Sequence, residues 1–291
     1  MSTVAETNLY PTNTGSKKPF AISINWGRIG AYLVLLIFTA IYLGPLLMLI
    51  NTALKTQGSF MRDASAVVTT PEFANFVEAW NRASFVKYLG NSIFYAVTAT
   101  TIFVITAVFV AFPVARGYVK GANLILTVFV IALFLPPALI PQFQLMLRLG
   151  LYNNQFGYIL LFLVNPIGII ILVNYLKSIP RELDEAAALD GCGYFRFVRS
   201  VVFPLIQPAI ATITVLHAIG IWNELILATI YLTNQNFYPI TRGLIVFQGV
   251  YGNNWPLLAA AVLIMAIPMV VLYLFLQRYI ISGLTQGSLS G

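Results

Sequence analysis

The chain has 291 residues, of which 59% are hydrophobic and only 9% charged, and it carries a formal net charge of +7. Soluble globular proteins hold roughly 25% charged residues because a water-facing surface must be clothed in them, so the main solvent of this chain is lipid. Its 16 basic residues stand singly between apolar runs, with no basic stripe or interleaved aromatic platform; that pattern excludes a nucleic-acid partner and reads as the basic loops that flank membrane helices.

Residues 1–28 form a polar tail with Lys17 and Lys18, expected on the cytoplasmic side. The apolar run after it is too long for the core of a cleaved signal. Residues 29–291 then read as one transmembrane domain, with charges as depth markers, since a charge at the bilayer centre costs at least about 2.5–3.5 kcal/mol. The charge-poor stretches predict six helices, at 29–50, 91–112, 122–141, 156–176, 208–232 and 257–279. Each is near the length of about 20 residues that a span requires. Barrel strands would alternate polarity over about 10 residues, whereas these runs are continuously apolar over twice that length. The expected fold class is therefore an all-α membrane protein.

Pro45, Pro136, Pro137, Pro141, Pro166, Gly220 and Pro268 fall inside these runs. Each reads either as a plain kink or as a place where a cavity satisfies the freed backbone. With the N-terminus inside, ten basic residues fall on inner segments and six on outer ones, which favours both termini in the cytoplasm.

The inner loop between the fourth and fifth spans, residues 177–207, reads KSIPRELDEAAALDGCGYFRFVRSVVFPLIQ. Pro180 suits a first helical turn, and Glu182, Asp184 and Glu185 put negative charge at that helix's positive end. Ala186, Ala187 and Ala188 favour helix strongly, and Gly191 and Gly193 interrupt it. A second short helix, from Tyr194 to Phe203, is expected to stop at Pro204 and Pro208. The product is a helix–turn–helix, small-faced on its first arm. On its second arm Tyr194, Phe195, Arg196, Phe197 and Arg199 are residue types common in interface cores. From composition alone it is either an ordinary solvated loop or a docking surface.

The string EAAALDG, nine further residues and VVFP resemble the EAA signature of ABC-importer permeases, which runs E-A-A, three residues, G, nine residues, I-x-L-P. Glu185, Ala186, Ala187, Gly191 and Pro204 match it, and Val201 and Phe203 keep its apolar character. The segments PEFANFVEAW, YLGNS, LYNNQFGYILL, IPRELDEAAALDG, WNELILA and the tail QRYIISGLTQGSLSG resemble the maltose-type carbohydrate permeases over nearly the whole chain. That resemblance implies a type I importer permease in the bacterial inner membrane. It implies pairing with a second homologous permease and two cytoplasmic ATPase subunits, and a sugar or oligosaccharide delivered by an extracytoplasmic solute-binding protein. It also implies that Glu185, Ala186, Ala187, Leu189, Asp190 and Gly191 couple the chain to the ATPases. No Gly-Lys dipeptide of a phosphate-binding loop occurs, so ATP and magnesium would be bound by the partner subunits and the chain itself would need no cofactor.

In the fifth span Trp222, Asn223 and Glu224 form an intramembrane polar group. They read either as part of the translocation path or as a tie to another helix. His217 precedes Glu224 by seven residues, about 10.5 Å along a helix axis, too far for a direct hydrogen bond. A satisfied interior histidine is the simpler reading. Alternatives are a glycerol-phosphate or other polyol permease and a proton-coupled secondary transporter. The latter predicts paired inverted repeats that the sequence lacks. A membrane enzyme needs a converging catalytic set; one histidine, one cysteine (Cys192) and nine acids, mostly scattered in loops, do not supply one. The lone Cys192 also excludes an intrachain disulfide.

Overall fold

The computed structural model describes residues 26–82, 84–249 and 252–288; most of the expected 1–28 tail and the last three residues lie outside them. The chain divides into two compact units, Met1–Leu47 and Met48–Gly291. The described part of the first unit is the leading stretch of helix α1 (Trp26–Ala53), whose residues Gly30–Ala53 carry no charge and have a mean hydropathy of 2.6.

Among the described residues, the second unit is helical apart from short 3-10 turns and a two-residue antiparallel ladder, Gln248–Gly249 with Gly252–Asn253. Two short helices, α2 (Gln57–Arg62) and α3 (Ala74–Arg82), precede the long α4 (Phe85–Arg116). Next come α5 (Ala122–Ala132), α6 (Leu139–Arg148), α7 (Gln155–Leu160) and α8 (Pro166–Lys177). The 177–207 segment holds α9 (Glu182–Leu189) and α10 (Tyr194–Leu205). It is followed by α11 (Gln207–Trp222), α12 (Ile226–Tyr231), α13 (Ile240–Gly243) and α14 (Trp255–Ser288).

Three predicted spans are single helices, and three are broken. By length and composition, Gly30–Ala53, Phe85–Arg116 and Trp255–Phe275 are each long and apolar enough to cross a bilayer. The bent pair Tyr194–Leu205 and Gln207–Trp222, with 81° between its arms, is a fourth if counted as one. The helix expected over 122–141 ends at Ala132, because Pro136 and Pro137 together remove two backbone donors. The one expected over 156–176 is split by residues 161–165. Asn165 is extended (φ −128°, ψ 103°), as a residue before proline prefers, and Pro166 opens a new helix rather than kinking an old one. The helix expected over 208–232 breaks at residues 223–225 without proline or glycine.

α4 is the hub against which α5, α7, α8 and α11 pack. Its buried side carries Ala96, Ala99, Ala107, Ala111 and Ala115 between the rings of Tyr95, Phe103 and Phe112. Lipid tails are as apolar as leucine, so such small residues hold neighbouring helices by close contact rather than by escape from water. One core cluster joins the later half of α4 to Leu172, Val173 and Leu176 of α8 and to Phe197, Val198, Val202 and Ile213. A second gathers Phe85, Trp222, Ile240 and the alanines 259–261 of α14. A third joins Tyr95 to Met146, Tyr158, Ala228 and Tyr231.

Candidate functional site

The 177–207 segment is an elbow whose turn is fixed by backbone geometry. The Asp190 N–H donates to the Ala186 carbonyl at 3.0 Å, the Gly191 N–H to Ala188 at 3.1 Å and the Cys192 N–H to Ala187 at 2.9 Å. The last two bonds form a Schellman motif, whose crossing point requires a left-handed residue. Gly191 supplies it at φ +66°, and nothing lies within 4 Å of where its Cβ would stand. The demand on Gly191 is thus conformational rather than spatial.

Two expectations for the elbow are corrected. Pro180 precedes the first turn of α9, which opens at Glu182 with Arg181 as its cap. Pro204 does not stop the second arm, since α10 runs on to Leu205. Residues Val198–Val202 widen into a π turn in which the Phe203 N–H donates to the Val198 carbonyl. That wider turn precedes the proline ring, which in a regular helix collides with the carbonyl four residues back. The arm ends instead at Ile206 (φ −96°, ψ 11°).

The first arm is braced to the end of α4 by a buried ion pair. Arg116 Nε lies 2.7 Å from Asp184 Oδ2, with side chains only 3% and 8% exposed. Arg116 Nη2 donates to Asp184 Oδ1 at 3.0 Å, and its Nη1 donates to the Ile179 carbonyl at 2.8 Å. The Tyr118 hydroxyl donates to Asp184 Oδ2 at 2.8 Å. Burial first, and this bond to a carboxylate second, raise the Tyr118 phenol above its ordinary pKa. A planar guanidinium that bonds the Asp184 carboxylate through Nη2 and the Ile179 carbonyl through Nη1 fixes direction as well as distance, tying the start of α9 to the end of α4.

The second arm is tied down by rings. Tyr194 and Phe197 pack on Phe112 at 5.9 and 5.7 Å between centroids, and the Tyr194 hydroxyl donates to the Phe109 carbonyl. Phe197 is therefore part of the chain's own core, while Tyr194 stays half-exposed at its edge. The most exposed apolar side chains of the segment are Leu189, at 90%, and Phe195, at 73%. Glu185, Ala186, Asp190 and Gly191 also face outward, whereas Ala187 packs against the core.

At the break in the fifth predicted span the three polar candidates part company. Trp222 is 2% exposed, and its indole N–H donates to the Met265 carbonyl at 3.2 Å. It lines a cavity of about 300 Å³ with Ala96, Thr100, Ala218 and Met269. Asn223 is exposed. Glu224 Oε1 accepts the Leu227 N–H at 2.8 Å, so its carboxylate caps the start of α12, while the Thr241 hydroxyl holds its carbonyl at 2.9 Å. A side-chain acceptor over a helix's first amides, carrying negative charge there, explains why the chain restarts a helix without proline or glycine.

Glu224 lines a crevice of about 280 Å³ with Phe162, Asn165, His217, Gly220 and Leu227. His217 Nε2 lies 2.8 Å from the Phe162 carbonyl, which only accepts, so this nitrogen carries the proton. Its Nδ1, 3.1 Å from Thr100 Oγ1, then accepts the hydroxyl. His217 is a satisfied interior histidine, stacked 4.4 Å from the Phe103 ring. Two helix restarts, capped by Asn165 and by Glu224, thus open on one polar crevice. Irregular backbone at membrane depth is tolerated in such a place.

The family described as the binding-protein-dependent transport system inner membrane component matches residues 93–286. The chain belongs to that family. The melibiose/raffinose/stachyose import permease protein MelC of Bacillus subtilis (strain 168) is 32% identical over 257 residues, 85% of this chain and 91% of MelC. The probable ABC transporter permease protein YurM of the same organism is 30% identical over 269 residues, 91% of this chain and 89% of YurM. Among solved structures, a chain of a bacterial ABC transporter involved in the import of the acidic polysaccharide alginate superposes with a TM-score of 0.78 at 24% identity. The match covers 87% of this chain and 96% of that one. The fold is that of this importer subunit, and the assignment to carbohydrate-type ABC permeases made from the EAA segment stands. As a member of this family the chain is a multi-pass membrane protein, and the relatives named here are transport permeases rather than enzymes.

Arg116 and Tyr118 were invisible as site residues in the permease sequence. Arg116 reads there as one more basic residue at a span end, and Asp184 as a dipole partner of its own helix. Their separation of 68 residues leaves no local signal. The only hint is a basic residue closing one span and an acid opening the next loop on the same expected side.

In this permease, Glu224→Ala removes the cap of α12 and is expected to destabilise the protein by about 1 kcal/mol. Glu224→Gln keeps an acceptor and should leave stability close to wild type. Thermal unfolding of both variants in detergent checks this; equal losses for Gln and Ala would mean that the charge, not the cap, matters.

Proposed function

We propose that this chain is one permease half of an ATP-driven importer for a sugar or oligosaccharide. It would cross the membrane six times with both termini in the cytoplasm, three of the spans being the broken ones. A second permease would complete the pathway, two ATPase subunits would hydrolyse ATP on the cytoplasmic side, and a solute-binding protein would deliver the substrate outside. Import of melibiose, raffinose and stachyose by the system containing MelC supports the substrate class.

In this reading the elbow at 177–207 is the coupling element. The observation that carries it is an outward-facing apolar tip, Leu189 with Phe195, on a helix clamped to α4 by the buried Arg116–Asp184 pair. Among the described residues Leu189 is left 90% exposed, and a rigid clamp is what converts a push on that tip into motion of a membrane helix. Asn223 and Glu224 would stand beside the pathway at the restart of the broken helix, with Trp222 holding that break against α14.

The test is reconstitution in liposomes of the chain with its partner permease, ATPases and binding protein. ATP-dependent uptake of an α-galactoside or related oligosaccharide, lost when either permease or the ATPases are omitted, is the expected result. Uptake by this chain alone, driven by a proton gradient, would refute the assignment.

A further inference from the structure

Between the later half of α4 and the second arm of the elbow lies a groove of about 420 Å³. Ile105, Val108 and Phe109 wall it on one side, and Val198, Arg199 and Phe203 on the other. The π turn builds the second wall. Its Phe203 N–H donates to the Val198 carbonyl, so these two side chains, five residues apart, stand one wide turn apart on one face. Across from them Phe109 is held in place: its ring lies 5.5 Å from the Phe195 ring, and its carbonyl accepts from the Tyr194 hydroxyl at 3.2 Å. Ile105 remains 48% exposed and Phe203 37%.

Arg199 is the one polar side chain among these six. It is exposed and has no ion-pair partner among the described residues. Arg196, three residues earlier, is exposed as well, and residues 194–205 contain no acid. The arm meets α11 at 81°, so it lies along the surface of a membrane that α11 crosses. Arg116 closes α4, a helix of 32 residues, about 48 Å long. That exceeds the hydrocarbon core of about 30 Å. Phe109 and Ile105 precede Arg116 by about 10 and 16 Å along the axis. With the excess length shared between the two ends of α4, the groove opens at the hydrocarbon boundary.

We propose that this groove seats an acyl chain of an anionic phospholipid whose phosphate is held by Arg199, with Arg196 beside it. The chain presents unpaired cations over an apolar slot, and the lipid presents the matching order, phosphate over tail. A guanidinium suits a phosphate, and basic pockets between membrane helices on the cytoplasmic side take anionic headgroups. A zwitterionic lipid would set its ammonium against the second arginine. Lipid in this slot would brace the second arm against α4 as the Arg116–Asp184 pair braces the first. The inference rests on the importer reading, in which the elbow meets the cytoplasmic leaflet.

The test titrates the assembled importer in detergent with dioleoyl phosphatidylglycerol and counts bound lipid by native mass spectrometry. Arg199→Gln, at an exposed position, should raise half-saturation of the tightest-bound lipid about fivefold, the loss expected for one cation near the surface. Ile105→Trp fills the slot without changing charge and should abolish that binding. Phosphatidylcholine with the same chains should bind the wild type about fivefold more weakly than phosphatidylglycerol. Wild-type half-saturation in Arg199→Gln, or equal binding of the two lipids, would overturn the lipid site; this is the result expected if a partner subunit covers the groove. A chain that holds the lipid but never co-purifies with ATPase subunits would overturn the importer reading and spare the site.

Discussion

Arg116→Gln is expected to cost the permease about 3–5 kcal/mol of stability, the range for removing one partner of a buried ion pair. The charge lost is one of a pair whose side chains are 3% and 8% exposed. Asp184 would be left buried with only the Tyr118 hydroxyl, and the Ile179 carbonyl would lose its donor. Asp184→Asn is expected to be milder, because the amide oxygen still accepts from the guanidinium and the amide NH2 can donate to the Tyr118 oxygen. Thermal unfolding in detergent measures both. An unchanged midpoint for Arg116→Gln would show that the pair is not a clamp. A paired Arg116→Met, Asp184→Leu variant separates stability from coupling. Replacing both charges by apolar side chains often restores stability, but it removes the directional bonds between α9 and α4. Recovered melting with transport still reduced at least tenfold is the signature expected of a strut. Recovery of both would reduce the pair to ordinary packing.

The same pair illustrates what was legible in the sequence. Charge spacing located the apolar segments that hold the three long helices Gly30–Ala53, Phe85–Arg116 and Trp255–Phe275, because an uncompensated charge at membrane depth is too costly to be placed at random. It gave no access to how each segment is divided. Prolines 136, 137 and 166 marked two of the three breaks, since a missing donor is visible in one letter. The third, at residues 223–225, depends on a carboxylate folding back onto the Leu227 amide, and the sequence shows a glutamate without its rotamer. Gly191 was legible as a turn, and its left-handed φ confirms the reason. Which of the second arm's rings turn inward was not legible: Phe197 is buried while Phe195 is exposed, because residue type does not say which side of an arm meets α4. Pro204 was misjudged because the π turn before it leaves no mark in composition.

Leu189→Asp is expected to abolish coupled transport while leaving the chain folded. Leu189 is 90% exposed at the last position of α9, so its removal costs no packing within the chain. An aspartate there meets the negative end of a short helix, an effect of about 0.3–1 kcal/mol. At a docking surface the consequence is far larger. An apolar anchor seated in a partner's pocket is worth at least about 2 kcal/mol when truncated, and a carboxylate must in addition be desolvated to enter it. Leu189→Met, similar in volume and apolar, should keep function. Co-purification of the ATPase subunits and sugar-stimulated ATP hydrolysis read the interface, while thermal unfolding of the isolated permease reads the chain. The expected pattern is lost co-purification with an unfolding midpoint near wild type, opposite to Arg116→Gln, where the midpoint falls first. Wild-type ATPase recovery and hydrolysis in Leu189→Asp would place the gripping surface elsewhere. Because the Schellman turn presents Leu189 and Asp190 together, the neighbouring Asp190→Ala would then be the variant to separate a displaced interface from none at all.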